Sequence, residues 1–199
     1  MLTTTTICTT GIKSSLHNIY PINPLNYCRH SAEAPDEQLT SSGEDGVIYN
    51  GIPDWVSEEE VFEENHALWW SPDGSRLVYG MFNDSQVESV ALPRYGSWHK
   101  TKSDRQGYPW LQYSLLDSIK YPKAGSINPS VQLWAASVGV APGERIRQVQ
   151  LPPPQMFSGQ ESHFSSVAWR DNHTAAVIWM NRVQNVSSIS VCTISEELR

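Results

Sequence analysis

Ala67-Leu-Trp-Trp-Ser-Pro-Asp-Gly-Ser-Arg-Leu-Val-Tyr-Gly-Met-Phe82 decides the fold class. Two apolar runs, Ala67–Trp70 and Arg76–Phe82, flank Ser71-Pro-Asp-Gly74. Pro72 presets φ for a turn and Gly74 takes the left-handed position that closes it, so the stretch predicts a β-hairpin. The pattern returns downstream: Phe164–Trp169, a turn at Asp171-Asn172, then Ala175–Met180. Ser187–Ile194 begins a third strand there, and Ser130–Val138 with Arg145–Leu151 supply two more after the first hairpin. Paired hairpins followed by further strands are the pattern of successive four-stranded propeller blades. Residues 66–151 are therefore expected to form one blade, with Phe164 starting the next.

Upstream, Glu37–Thr40 and Val47–Tyr49 read as strands separated by Ser42–Gly46, and residues 1–35 as an irregular lead-in with one possible strand near His17–Tyr20. Between Val47–Tyr49 and the Ala67 hairpin a short acidic helix is expected. Asp54 or Ser57 serves as N-cap, Ser57 with Glu60 fits a capping box, and Glu58, Glu59 and Glu60 occupy the first turn, where carboxylates face the positive end of the dipole. The polar excursion from Ser85 to Ile127, with Pro93, Pro109 and Pro122, shows few strand signals.

Composition narrows the function. Fourteen Lys+Arg against 21 Asp+Glu give net charge −7, which disfavours a nucleic-acid partner, because phosphate binding needs clustered positive charge. Eight Trp and eight Tyr against four Phe suit half-buried pleated surfaces. No stretch approaches the roughly 20 apolar residues of a spanning helix, and the amino end has neither the basic region nor the apolar run of a signal peptide. Cys8, Cys28 and Cys192 are an odd count, pointing to a free thiol or a partner outside the chain. No His/Cys/Asp cluster has metal-ligand spacing, and no cofactor motif occurs. His66 and His163 precede equivalent strands, a repeat position, and Trp69 and Trp70 read as core. Asn83, Asn172 and Asn185 open sequons, which are used only in a secreted protein.

Several segments taken in order carry a family resemblance: Val47–Val56 (Val-Ile-Tyr-Asn-Gly-Ile-Pro-Asp-Trp-Val), Glu58-Glu-Glu-Val-Phe62, Ala67–Gly74, Phe82-Asn-Asp84, Tyr121-Pro-Lys-Ala-Gly125 running on through Asn128–Val131, and Arg182–Ser187. Together they resemble the propeller of the dipeptidyl peptidase IV-like serine peptidases, a match covering roughly residues 37–199. Residues 36–199 are accordingly expected to be a partial N-terminal β-propeller of an all-β class, about one full blade plus parts of its neighbours, with residues 1–35 outside the match.

The resemblance implies a parent in which an eight-bladed propeller caps an α/β-hydrolase domain, with substrate in the cavity between them. It also implies a homodimer, anchored as a type II protein with an extracellular propeller or secreted. In that family the last two glutamates of the short helix grip the free amino terminus of the peptide, and those positions are Glu59 and Glu60. Asn83 and Asn185 fall where the family carries glycans, and Cys192 resembles the first half of a family disulfide whose second member lies downstream. The family has Tyr where this chain has Ser57, and the insert around Ser97–Leu116 is longer than the family's.

No Gly-x-Ser-x-Gly occurs, so the nucleophile elbow is absent and the 199-residue segment alone is expected to be inactive. It is also expected to aggregate when expressed alone, since open blade edges template pairing. Three functions follow. The first is the substrate-clamping propeller of an exopeptidase removing X-Pro or X-Ala dipeptides. The second is a non-enzymatic relative acting as an auxiliary subunit of potassium channels. The third is a plain propeller interaction module, which has no need of the glutamate helix.

Overall fold

The computed structural model describes residues 7–10, 26–29, 37–95, 114–137 and 146–194. In chain order the strands are β1 (Ile7–Thr10), β2 (Asn26–Arg29), β3 (Glu37–Gln38) and β4 (Ile48–Asn50). A helical insertion follows, α1 (Trp55–Ser57) running into a π-helical turn over Glu58–Phe62. Then come β5 (Leu68–Trp70), β6 (Arg76–Asn83), β7 (Ser89–Arg94), β8 (Leu115–Lys120), β9 (Ser130–Ser137) and β10 (Arg147–Leu151). A 3-10 turn over Gln155–Phe157 leads to β11 (Ser162–Trp169), β12 (Thr174–Asn181) and β13 (Ser187–Thr193).

The expected blade forms, antiparallel throughout. Its rows run β10-β9-β6, and the fourth row is made by two strands rather than one. β4 pairs with the end of β6, Ile48 opposite Asn83 and Asn50 opposite Met81. β5 pairs with its beginning, Leu68 opposite Tyr79 and Trp70 opposite Leu77. The chain leaves this row at Gly51 and rejoins it at Ala67, with Gly51 N–H donating to Gly80 O at 2.7 Å, Ala67 N–H to Gly51 O at 2.9 Å and Gly80 N–H to Ala67 O at 2.9 Å. The helical insertion is thus an excursion from within a strand row, its two ends clamped together at Gly80. The strand expected at Val47–Tyr49 is part of this blade. The second blade begins with the order β11-β12-β13.

Two elements differ from the sequence reading. The excursion after Ser85 holds a two-stranded ribbon, β7 with β8, from Ser89 opposite Lys120 to Arg94 opposite Leu115. Its strands went unread because Leu92 and Leu116 face solvent, at 46% and 70% exposure, so no buried face imposes alternation, and because Pro93 reads as a break although an edge strand tolerates it. The stretch expected as an irregular lead-in holds β1 and β2, which pair with each other, β2 also pairing with β3, and Cys8 stands opposite Cys28. The possible strand at His17–Tyr20 lies outside the described residues.

The main core lies between the two blades. Val78, Phe82 and Leu133 of the first meet Phe164, Val167, Val177 and Trp179 of the second, all buried. Phe164 packs edge-on to Trp179 at 5.5 Å between ring centroids and tilted against Phe82 at 6.1 Å. Gly80 permits that closure: a Cβ there would sit 2.8 Å from the Phe82 ring and 3.0 Å from Phe164. Two bonds tie the blades at their polar margin, Trp169 Nε1–H to Trp69 O at 3.0 Å and Arg76 Nη1–H to Asn172 O at 3.1 Å. On the other face of the first blade, Leu39, Leu77, Tyr79 and Ala136 form a second cluster with Trp70 packed against it. Trp69 and Trp70 are core residues of the two faces, as read from sequence.

Candidate functional site

The acidic insertion is held from both ends. At its start Asp54, 1% exposed, caps α1: its Oδ2 accepts from Val56 N–H at 3.1 Å and Ser57 N–H at 3.4 Å. Of the two caps considered, Asp54 is the one used. Ser57 is buried and makes no side-chain cap bond, so the capping box with Glu60 does not form; the chain is already helical at Ser57, whose N–H is taken by Asp54.

At its far end Phe62 wedges into the interblade core, 5.4 Å from Phe164, 6.0 Å from Phe82 and 6.1 Å from Trp69 between centroids. Glu63 then stops the turn in the left-handed region, at φ 54°. With Ser57 and Phe62 turned inward, Glu59 and Glu60 are left exposed on the outer side. π-helical turns are rare and recur at functional sites.

Glu60 lies on the wall of a cavity of about 640 Å³, with Val56, Val61, Asn128, His163 and Arg182 among the other walls. Arg182 braces that wall, its guanidinium donating to Glu161 Oε2 and to Ser126 O. Glu59 borders a neighbouring open depression with Glu58, Glu63, Glu64 and Asn65. The phenol of Tyr121 donates to Glu60 Oε1 at 3.3 Å. Its own pKa is raised, by burial first, then by the charge and hydrogen bond of Glu60, then by the charge of Glu59. Glu60 alone of the two carboxylates bonds the Tyr121 hydroxyl, and the two line different concavities.

Beneath the insertion the electrostatics are unfavourable to charge. The Asp84 carboxyl, 1% exposed, is pushed up to about 8, chiefly by burial and then by the charge of Asp54, with Lys120 acting against the rise. Burial likewise raises Asp54, against its hydrogen bonds from Ser57 and Val56. Asp54 Oδ1 and Asp84 Oδ1 have no hydrogen-bond partner among the described residues. Glu58, half-buried, is raised by that burial and then by the charge of Glu59.

The other sequence-derived positions lie apart. Asn83 ends β6 at the rim of the Glu60 cavity, its Oδ1 accepting from Ser85 N–H at 2.9 Å. Asn172 sits in the β11–β12 turn, and Asn185 is exposed in the β12–β13 turn, its Oδ1 accepting from Asn181 Nδ2 at 2.8 Å. Cys192 in β13 is half-buried, and burial raises its thiol. His163 is lowered by burial, and His66 is exposed beside Glu64 at 3.5 Å. Among the described residues no three His, Cys, Asp or Glu side chains could hold a metal ion, and no helix is long and apolar enough to cross a membrane. Sequence reasoning missed Tyr121 as part of the site; its Tyr-Pro-Lys-Ala-Gly setting was a signal, but without a partner.

The sequence family described as dipeptidyl peptidase IV (DPP IV) N-terminal region matches residues 23–199. The chain is 35% identical to prolyl endopeptidase FAP of Mus musculus over 96% of its own length and 23% of that protein's. It is 37% identical to inactive dipeptidyl peptidase 10 of Rattus norvegicus over 87% of its length and 20% of the relative's. Dipeptidyl peptidase 4 of Bos taurus is 34% identical over 83% of the chain and 20% of the relative. Among solved structures, Porphyromonas gingivalis dipeptidyl peptidase 4 superposes with a TM-score of 0.67 at 23% identity, over 89% of this chain and 22% of that one. The fold is that of part of an all-β propeller, and the chain spans about a fifth of the length of these relatives.

Proposed function

The chain belongs to the dipeptidyl peptidase IV N-terminal region family, and on that premise we propose that it is the propeller part of a serine exopeptidase that grips the free amino terminus of a peptide through Glu59 and Glu60. The observation that carries this reading is the placement of Glu60 on a cavity wall, with Glu59 beside it, on a helical excursion clamped at Gly80 and anchored by Asp54 and Phe62. An α-ammonium carries a full charge and three N–H donors, and two carboxylates share it through charge-assisted bonds stronger than neutral ones. A fixed clamp also measures distance from the peptide's end, which positions the bond to be cut.

In this reading the α/β-hydrolase domain of the parent chain supplies the serine chemistry and removes X-Pro or X-Ala dipeptides. The parent is a homodimer, a type II plasma-membrane protein with an extracellular propeller or a secreted one. Asn83, Asn185 and Asn172 are its glycan acceptors within residues 36–199, and Cys192 is half of a disulfide completed downstream. A second reading is favoured by the 37% identity to a relative named as inactive: the same propeller in a non-enzymatic protein that serves as an auxiliary subunit of potassium channels.

The test is a kinetic comparison of Glu58→Gln, Glu59→Gln and Glu60→Gln in the full-length protein. Loss of one charged hydrogen bond to a desolvated ammonium lowers kcat/KM on dipeptide substrates by roughly ten- to a hundredfold at Glu59 and Glu60. Glu58, turned partly inward, should matter much less. Equal effects at all three positions, or none at Glu59 and Glu60, would reduce the acidic run to a solvated helix start. A full-length protein with no turnover that still binds free amino termini supports the second reading.

A further inference from the structure

Tyr121 directly follows β8, where the ribbon returns to the blade, and its backbone is fixed there. Its N–H donates to Glu88 O at 3.1 Å, and the next residue, Pro122, is buried. From this anchored position the phenol crosses to the acidic insertion and donates to Glu60 Oε1 at 3.3 Å, a contact spanning 61 positions of sequence. The two partners differ in freedom. Glu60 is exposed on a short helical turn, and a free glutamate side chain samples many rotamers that binding must freeze. Tyr121 has only two side-chain torsions and a fixed base.

We propose that Tyr121 is a positioning residue for Glu60: its hydroxyl holds Oε1 in place and so presents Oε2 to the α-ammonium of a bound peptide. The role rests on the reading of Glu59 and Glu60 as an amine clamp. Preorganisation raises affinity by removing part of the ordering cost on binding. The bond is long and open to solvent, at the weak end of hydrogen bonds to a charged group. Its loss should therefore weaken the preference for a free amine by about three- to tenfold, less than removal of the Glu60 charge itself.

The experiment is a binding cycle in the full-length protein with Tyr121→Phe, Glu60→Gln and the double variant. The probes are the dipeptide Ala-Pro and its N-acetyl derivative, and the readout is the Kd of the acetylated probe divided by that of the free one. A partly unfolded preparation cancels in that ratio, and a role confined to packing moves both Kd values together. Tyr121→Phe is expected to lower the ratio about three- to tenfold, Glu60→Gln to lower it further, and the double variant to match Glu60→Gln alone. A Tyr121→Phe ratio equal to wild type beside a reduced Glu60→Gln ratio overturns the positioning role and leaves the clamp standing. Losses that multiply in the double variant also overturn it, because Tyr121 would then act independently of Glu60. No effect of Glu60→Gln, or no preference for the free amine in the wild type, overturns the clamp and the positioning role with it.

Discussion

Phe62→Ala tests whether the acidic insertion is held by the core or merely lies on it. The ring touches Trp69, Phe82 and Phe164, drawing the end of the π-helical turn into the contact between blades. A fully buried Phe→Ala change costs about 3–5 kcal/mol. Phe62 is only partly buried, so about half of that, near 2 kcal/mol, is expected. Urea unfolding of the full-length protein, followed by tryptophan fluorescence, should show a lower midpoint at unchanged slope, since the surface exposed on unfolding hardly changes. The same variant should weaken binding of a peptide with a free amino terminus, because Glu59 and Glu60 lose their fixed base. Phe62→Leu keeps most of the apolar volume and should cost less than about 1.5 kcal/mol. A Phe62→Ala loss below about 0.5 kcal/mol with normal amine binding, the range of ordinary surface changes, would refute the idea that interblade packing positions the clamp.

Gly80→Ala should destabilise by about 1–3 kcal/mol because its Cβ would meet the Phe82 ring at 2.8 Å; an unchanged melting temperature would show that Phe82 and Phe164 move aside freely. The buried Asp84, flanked by Asp54, Tyr49 and Lys120, makes stability depend on pH. Its folded pKa of about 8 lies above the ordinary carboxyl value of 3.8 that the unfolded chain keeps, so the unfolded chain loses its proton first and stability falls as pH rises between those values. Asp84→Asn should flatten that slope and stabilise the protein at neutral pH; a slope unchanged in the variant would assign the dependence to other groups.

What the sequence determined by itself was local. The hairpin at Ala67–Phe82, its repeat at Phe164–Met180 and a helix starting at Asp54 or Ser57 were legible, because turn chemistry, capping and apolar periodicity act within about ten residues of chain; the choice of Asp54 over Ser57 came from the structure. The identity of Glu59 and Glu60 as the residues of interest came from an ordered set of motifs, not from their chemistry, since an acidic run is by itself an ordinary helix start. Tertiary structure alone decided the rest. It put β4 and β5 into one strand row, so that the helix becomes an excursion clamped at Gly80. It paired β7 with β8 through exposed strands that no buried face betrays. It also set Glu60 on a cavity wall with Glu59 on the neighbouring depression, and brought Tyr121 to Glu60 across 61 positions. Such pairings depend on which blade faces pack together, and packing is a property of the assembled sheets that no short window of residues contains.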